Sequence, residues 1–297
     1  MIIGNKIIGK GYPTYIIGEI GINHNGNLGT ALQLIRKSAE SGVDAVKFQK
    51  RVPEIVTPKD VWDKMRTGTP WGDVKYIDYR RKVEFGKEEY DIINAYCKEL
   101  RIDWFASAWD EESVDFLEDY DVVAHKVASS MLTNLPLLEK IASTGRPIIM
   151  SKGGSTVEEL DTALDVFLNI GYSYDNIAIL HCVATYPCPD DRLNLLDIPF
   201  LAERFSPYAI GYSGHEIGLA TTIAAVAMGA KIVERHITIN RSDWGSDQSA
   251  SIEPQGVAKL VRDIRAVEKA MSKGGAGEPQ DIELKSIKKL RYFQEDK

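Results

Sequence analysis

Cysteine is scarce: Cys97, Cys182 and Cys188 form no C-x-x-C pair, and an odd number leaves one over in any disulfide scheme. That pattern excludes a disulfide-built scaffold and fits reduced thiols in a cytosol, two of them packed and one near the surface. Long apolar runs are missing too. The stretch from Thr222 to Ala230 is among the longest and falls short of the roughly 20 residues a membrane span needs, so no membrane contact is expected. Met1 leads into Asn5 and Lys6 rather than an apolar leader, which makes the cytoplasm the simplest compartment. Blocks of Lys and Arg are also absent, and the net charge is −7. Nucleic acid is therefore not an expected partner, and an anionic small substrate would need a few cations gathered locally.

What the chain does have is alternation. Eight short apolar or β-branched runs recur: Tyr15 to Gly21, Ala45 to Gln49, Trp104 to Ala108, Val122 to Val127, Pro147 to Ser151, Ile177 to Cys182, Ala209 to Ser213 and Lys231 to Thr238. Segments with helical periodicity lie between them, such as Leu28, Ala31, Leu32, Ile35 and Ala39, and later Val257, Leu260, Val261, Ile264, Val267 and Met271. Ser155 followed by Glu158 reads as a capping box, and Gly42, Gly145, Gly171 and Gly229 stand where a helix should stop before the next strand. Eight βα units in roughly 250 residues match an α/β protein with a (β/α)8 TIM barrel, a single domain over 1–297. An open doubly wound sheet is the alternative, but no G-x-G-x-x-G follows the first run.

One connection is too long. Residues 51–86 are polar and aromatic, with Trp62, Trp71, Tyr76, Tyr79, Arg80 and Arg81, and read either as an inserted loop or lid or as a packing excursion. The tail from Gly274 reads as a short, partly ordered terminus.

A barrel carries its chemistry at the carboxyl ends of its strands. Those ends hold Glu19, Lys47 and Gln49, Ser107, Lys126, Ser151, His181, Ser213 with His215, and His236. Two lysines and several hydroxyls converging on one mouth would cradle a phosphate and a carboxylate. His215 and His236 end successive strands and would approach as a divalent metal site requires, with Glu234 close by in sequence. His24, in an Asn23-His24-Asn25-Gly26 turn, would hold the loop or join the site. Glu19 would handle a proton or simply pair with Lys47.

Seven segments in order, GEIGINHNG (18–26), DAVKFQ (44–49), HKVASS (125–130), LHCVATYP (180–187), GYSGHEIGL (211–219), ERHIT (234–238) and GSDQSAS (245–251), resemble the sialic acid synthase family. The resemblance implies a TIM barrel that condenses phosphoenolpyruvate with an open-chain aldose, N-acetylmannosamine or a related hexose, to a 3-deoxy-2-keto nonulosonic acid. It also implies a divalent cofactor, Mn2+ or Mg2+, held by His215 and His236, and a homodimer. By the same carry-over, Lys47, Lys126, Ser129, Ser151 and Ser213 would hold phosphoenolpyruvate, with Ser107 beside them. Glu19, Gln49, Tyr186 and Asp247 would face the sugar or the reacting centre.

Departures from the family pattern leave the metal and anion residues in place. Ser213-Gly214-His215 stands for an SDH motif and Ser151-Lys152-Gly153 for an STG-like turn. Ala184 replaces an asparagine or serine, and Ala108 a hydroxyl residue. The C-terminal antifreeze-like domain of well-known members, which lends an arginine to the neighbouring subunit's sugar pocket, is expected to be absent. Arg51, Arg80 or Lys152 would then do that work, or the substrate lacks the N-acyl group. The competing readings are a 3-deoxy-octulosonate 8-phosphate synthase-like enzyme acting on a phosphorylated aldose and a non-catalytic metal or sugar-phosphate binding barrel.

Overall fold

A parallel strand buried on both faces has no solvent side, so it reads as a nearly continuous apolar run. Such strands build the computed structural model, which describes residues 1–271 and 277–291. In chain order the strands are β1 (Ile2–Ile3), β2 (Lys6–Ile7), β3 (Tyr15–Gly21), β4 (Ala45–Lys50), β5 (Met65–Thr69), β6 (Gly72–Lys75), β7 (Asp103–Ala108), β8 (His125–Val127), β9 (Ile148–Ser151), β10 (Ile177–Cys182), β11 (Ala209–Gly214) and β12 (Ile232–His236). The helices are α1 (Leu28–Ser41), α2 (Pro53–Val56), α3 (Tyr76–Val83), α4 (Lys87–Leu100), α5 (Glu111–Glu118), α6 (Leu135–Ala142), α7 (Val157–Asn169), α8 (Asp197–Arg204), α9 (Ala220–Ala227), α10 (Pro254–Met271) and α11 (Asp281–Leu290).

Strands β3, β4 and β7 through β12 pair in parallel in sequence order and close on themselves, β12 against β3 with Ile232 opposite Tyr15 and His236 opposite Glu19. This is the expected (β/α)8 barrel, and the open-sheet alternative is ruled out. At the amino ends of the strands, the β1–β2 hairpin drives Ile3 and the following Ile8 into the core, and Lys6 pairs with Asp44. No described helix is long and apolar enough to cross a membrane.

The helices follow their apolar stripes. In α1, Ala31, Leu34 and Ile35 are buried; in α10, Val257, Leu260, Val261 and Ile264 are, while Met271 has run out into solvent. Gly42, Gly145, Gly171 and Gly229 all adopt positive φ where a helix ends, the conformation a helix stop demands and glycine adopts at least cost.

Several expectations need correction. The fourth barrel strand spans three residues rather than six, because Asp121 turns at positive φ and the Val122 carbonyl accepts from Arg146 Nη1 instead of joining the sheet. The capping box lies one residue on: Thr156 Oγ1 accepts from the Glu159 amide at 3.2 Å and Glu159 Oε2 accepts from the Thr156 amide at 2.8 Å. All three cysteines are buried, so none lies near the surface. Of the tail, residues 281–290 form a helix, and 272–276 and 292–297 lie outside the described residues.

Residues 51–86 carry α2, α3 and the β5–β6 hairpin, and they have a small apolar cluster of their own. Tyr79 and Val83 of α3 bury against Ile22, and the Tyr79 ring meets Trp244, on the loop after β12, at a centroid distance of 5.3 Å. Arg66 lies over the Tyr79 ring at 4.4 Å and the Trp244 ring at 5.0 Å. Gly26 (φ +68°) sits so close to α3 that a Cβ there would lie 2.0 Å from the Lys82 carbonyl oxygen. The insertion therefore docks on the loops after β3 and β12, at the carboxyl end of the barrel.

Candidate active site

Side chains along a strand alternate between the barrel interior and the helix layer, so residues two apart share a face. Lys47 and Gln49 on β4, and Glu234 and His236 on β12, are such pairs, and all four line one cavity of about 260 Å³ at the carboxyl end of the barrel. Glu19, Ser107, Lys126, Ser129, Ser151, Tyr186, Ser213 and His215 line it as well. Asp247 does not; its Oδ2 lies 3.8 Å from His236 Nδ1, beside the cavity.

The same alternation removes His181. Its neighbour Cys182 faces the cavity, so His181 points outward, where its Nε2 bonds the Leu193 carbonyl at 2.7 Å and its ring stacks on Tyr212. His24 also stays out of the cavity. It holds its loop, accepting the Gly26 amide at Nδ1 and stacking on Phe85 at 4.0 Å, and burial lowers its pKa to about 3.

Four buried charges organise the floor. Lys47 Nζ lies 2.8 Å from Glu19 Oε2 and 3.7 Å from Glu234 Oε1, and it donates to Ser107 Oγ at 3.0 Å. Both sequence readings of Glu19 are thus compatible, since it pairs with Lys47 and also faces the cavity. Lys126 differs: it donates to Ser151 Oγ at 2.7 Å and to the Val127 carbonyl at 3.0 Å, and makes no ion pair within 4.0 Å among the described residues. Burial lowers the Lys126 pKa, only partly offset by Glu234. Burial would also lower that of Lys47, but Glu19 and Glu234 outweigh it and hold the pKa above its ordinary value. A cation short of a partner, ringed by hydroxyls, is a receptor for an anion.

Glu19 shows how these terms compete. Burial raises its pKa from 4.5 to about 7; Lys47 pulls it down and Glu234 pushes it back up. Glu234 goes the other way, because Lys126 and Lys47 together overcome its burial. The two carboxyls of one cavity are therefore pushed apart, Glu19 up to about 7 and Glu234 below its ordinary value. Glu234, noticed in the sequence only as a neighbour of the histidines, is a full member of the site. Its signal was its position two residues before His236 on one strand.

His215 and His236 approach with ring centroids 5.5 Å apart. His215 Nδ1 lies 2.8 Å from the Val183 carbonyl, to which a ring nitrogen can only donate, so Nε2 carries the free lone pair. His236 Nδ1 is buried without a hydrogen bond. Burial, then the neighbouring His236, lowers the His215 pKa to about 4, and burial lowers that of His236. Neutral imidazoles with open lone pairs are the donors a divalent ion requires. Among the described residues, no set of three or more His, Cys, Asp or Glu side chains is arranged to hold a metal. An ion at this place would therefore meet two imidazoles rather than a closed cage of side chains. Behind them, Arg235 binds Glu216 Oε1 at 3.0 Å and its carbonyl at 2.6 Å, which ties down the residue after His215. The Tyr186 ring packs against His215 at a tilt of 36°, with centroids 4.1 Å apart.

The three cations weighed for direct contact with a sugar, Arg51, Arg80 and Lys152, do not line the cavity. Arg51 is 2% exposed and engaged by Glu84 and Gln49. Trp109 and Ser130, which the sequence reading passed over, do line it.

Comparison with known proteins fits this geometry. A model of the NeuB family matches residues 34–276. The chain is 39% identical to the N-acetylneuraminate-9-phosphate synthase of Mus musculus over 265 residues, covering 89% of this chain and 73% of that protein. It is 34% identical to the N,N'-diacetyllegionaminic acid synthase of Campylobacter jejuni, covering 95% and 88%. The crystal structure of N-acetylneuraminic acid synthetase from Leptospira borgpetersenii, in complex with citrate, superposes with a TM-score of 0.85 at 31% identity, covering 100% of this chain and 98% of that one. By sequence and fold, this chain belongs to the NeuB family of sialic acid and related nonulosonic acid synthases.

Proposed function

We propose that this chain joins phosphoenolpyruvate to the open-chain form of an N-acylated hexose such as N-acetylmannosamine, giving a nine-carbon 3-deoxy-2-keto acid and inorganic phosphate. The observation that carries this reading is Lys126, a buried cation without a contacting carboxylate, set with Ser151 on the strands next to those of Lys47 and Ser107, in the cavity that also holds the two imidazoles. One anionic end of phosphoenolpyruvate would sit on Lys126, Ser129 and Ser151, and the other on Lys47 and Ser213. Gln49, Tyr186 and Asp247 would meet the sugar.

A divalent cation, manganese or magnesium, held by His215 and His236 and completed by water and substrate oxygens, would polarise the aldehyde oxygen. C3 of phosphoenolpyruvate forms a bond to the aldehyde carbon, leaving C2 electron-deficient. Glu19 and Glu234 face that developing positive charge. Water adds at C2 as ionised Glu19 accepts its proton, which passes on to the former aldehyde oxygen, and the adduct collapses with cleavage of the bond between C2 and the phosphate-bearing oxygen, the C2 hydroxyl proton leaving with the phosphate. The equation balances as phosphoenolpyruvate plus aldose plus water to keto acid plus phosphate.

The test is incubation with phosphoenolpyruvate, Mn2+ and one aldose at a time: N-acetylmannosamine, its 6-phosphate, a diacetamido hexose, mannose or arabinose 5-phosphate. Aldose-dependent phosphate release is expected with N-acetylmannosamine or the diacetamido hexose, with a product heavier than the aldose by one pyruvate unit. Turnover of arabinose 5-phosphate alone would move the reading to an octulosonate-type synthase. No turnover and no phosphoenolpyruvate binding would overturn it.

A further inference from the structure

We propose that Arg51 is a positioning residue: it fixes the side-chain amide of Gln49 so that the amide nitrogen, not the oxygen, faces Glu19, and it joins that orientation to the insertion through Glu84. Its effect on turnover rests on the reaction proposed above, whereas its effect on Gln49 does not.

The inference begins with what each group can do. A primary amide turned by about 180° keeps its shape while exchanging donor for acceptor, so shape alone does not orient Gln49. A guanidinium has donors and no acceptor. Arg51 Nη2 donates to Gln49 Oε1, which commits the oxygen to that side. Gln49 Nε2 is left to donate to Glu19 Oε1 at 3.2 Å. The amide nitrogen has a second hydrogen, and Gln49 lines the cavity, so the same orientation offers a donor to whatever sits above Glu19.

Arg51 is itself held on three sides. Its Nε lies 2.7 Å from Glu84 Oε1, its backbone amide donates to Glu84 Oε2 at 3.3 Å, and its guanidinium lies 4.8 Å from the centroid of the Trp109 ring. Glu84 directly follows α3, so the clamp belongs to the insertion while the amide it sets belongs to the barrel floor. The chain also leaves room for the contact. A Cβ at Gly21 would lie 3.0 Å from Glu19 Oε1 and 3.2 Å from Gln49 Nε2, against the two atoms that meet. Paired with Glu84 and buried, Arg51 is placed to act through Gln49 rather than as a charge on the substrate.

The test combines a spectroscopic readout with kinetic epistasis. In a 15N side-chain spectrum, with Gln49 assigned by its loss in Gln49→Ala, the wild-type amide pair is expected well dispersed and slow to exchange with solvent. In Arg51→Met it should move to the unstructured amide position; an unchanged Gln49 pair overturns the proposal, whatever the enzyme turns over. In the assay above, Arg51→Met should lower kcat at least tenfold and leave the phosphoenolpyruvate dissociation constant within twofold. Adding Arg51→Met to Gln49→Ala should cost nothing more. A full additional tenfold loss in the double variant would mean that Arg51 acts by general support of the fold, and would also overturn the proposal. If Arg51→Met does not fold, Arg51→Lys replaces it in both arms with the same expectations, because an ammonium paired to Glu84 lacks the second planar donor that Gln49 needs. Failure of the synthase reading would appear separately, as a wild type that releases no phosphate with any aldose while the Gln49 signal still depends on Arg51.

Discussion

Glu19 carries the sharpest consequence at the scale of one residue. Burial, reinforced by Glu234 and opposed by Lys47, sets its pKa near 7 instead of 4.5. A group that accepts a proton from water must be ionised, so kcat/KM should fall as pH drops through about 7, reaching roughly a hundredfold loss near pH 5. His215 does not produce this limb, because burial and the neighbouring His236 hold its pKa down at about 4. Glu19→Gln should lose at least roughly a hundredfold in kcat with the fold intact, and its residual activity should be flat between pH 5 and 8. A limb surviving in that variant would assign the proton to another group. The same shift acts on stability: with the folded pKa above the unfolded one, the contribution of protonated Glu19 is complete below about 4.5 and is lost as pH rises through about 7. Activity and stability therefore pull this carboxyl in opposite directions, as expected where a charge is kept buried for chemistry.

Among the elements, the insertion is set apart from the others by having its own apolar cluster. Tyr79 is 3% exposed, yet its neighbours Val83, Ile22, Trp71 and Trp244 do not belong to the main barrel core. Removing a buried aromatic costs about 3–5 kcal/mol where the surroundings do not collapse, and here that cost falls on docking rather than on the barrel. In Tyr79→Ala, amide exchange should accelerate across α3 and the β5–β6 hairpin while the barrel strands keep their protection. The KM for the aldose should rise severalfold and phosphoenolpyruvate binding should stay within twofold. Equal loss of protection in β9 and β10 would show that the insertion and barrel unfold as one unit. Its aromatic content was plain in the sequence, but its docking was not. Trp71 and Tyr79 meet Trp244 across more than half the chain, and local pattern carries no information about so distant a partner.

For the molecule as a whole, the repeated phrase of helix, glycine and strand made the barrel legible, because four helix stops, Gly42, Gly145, Gly171 and Gly229, are written in the residue that takes positive φ at least cost. Most of the site was legible for a related reason. A parallel barrel brings all its carboxyl ends together, so polar residues ending apolar runs must converge. What could not be read was decided by side-chain direction and by loops: the outward turn of His181, the place of Asp247 beside rather than in the cavity, and the retreat of Arg51 behind Gln49. The cavity is lined from all eight barrel strands, so the binding energy of a ligand held there is expressed as stability of the entire fold. At a hundred times its dissociation constant, phosphoenolpyruvate should stabilise the protein by about 2.7 kcal/mol and raise the melting midpoint by roughly 5 °C. Lys126 is the cation available to receive it, since Lys47 is already paired with Glu19. In Lys126→Met the ligand-induced shift at the same concentration should vanish, whatever the midpoint of the free variant, and thermal melts with and without phosphoenolpyruvate measure it directly. An undiminished shift would move the anion's principal contact to Lys47 and the serine ring, and would require Glu19 to give up its partner when substrate binds.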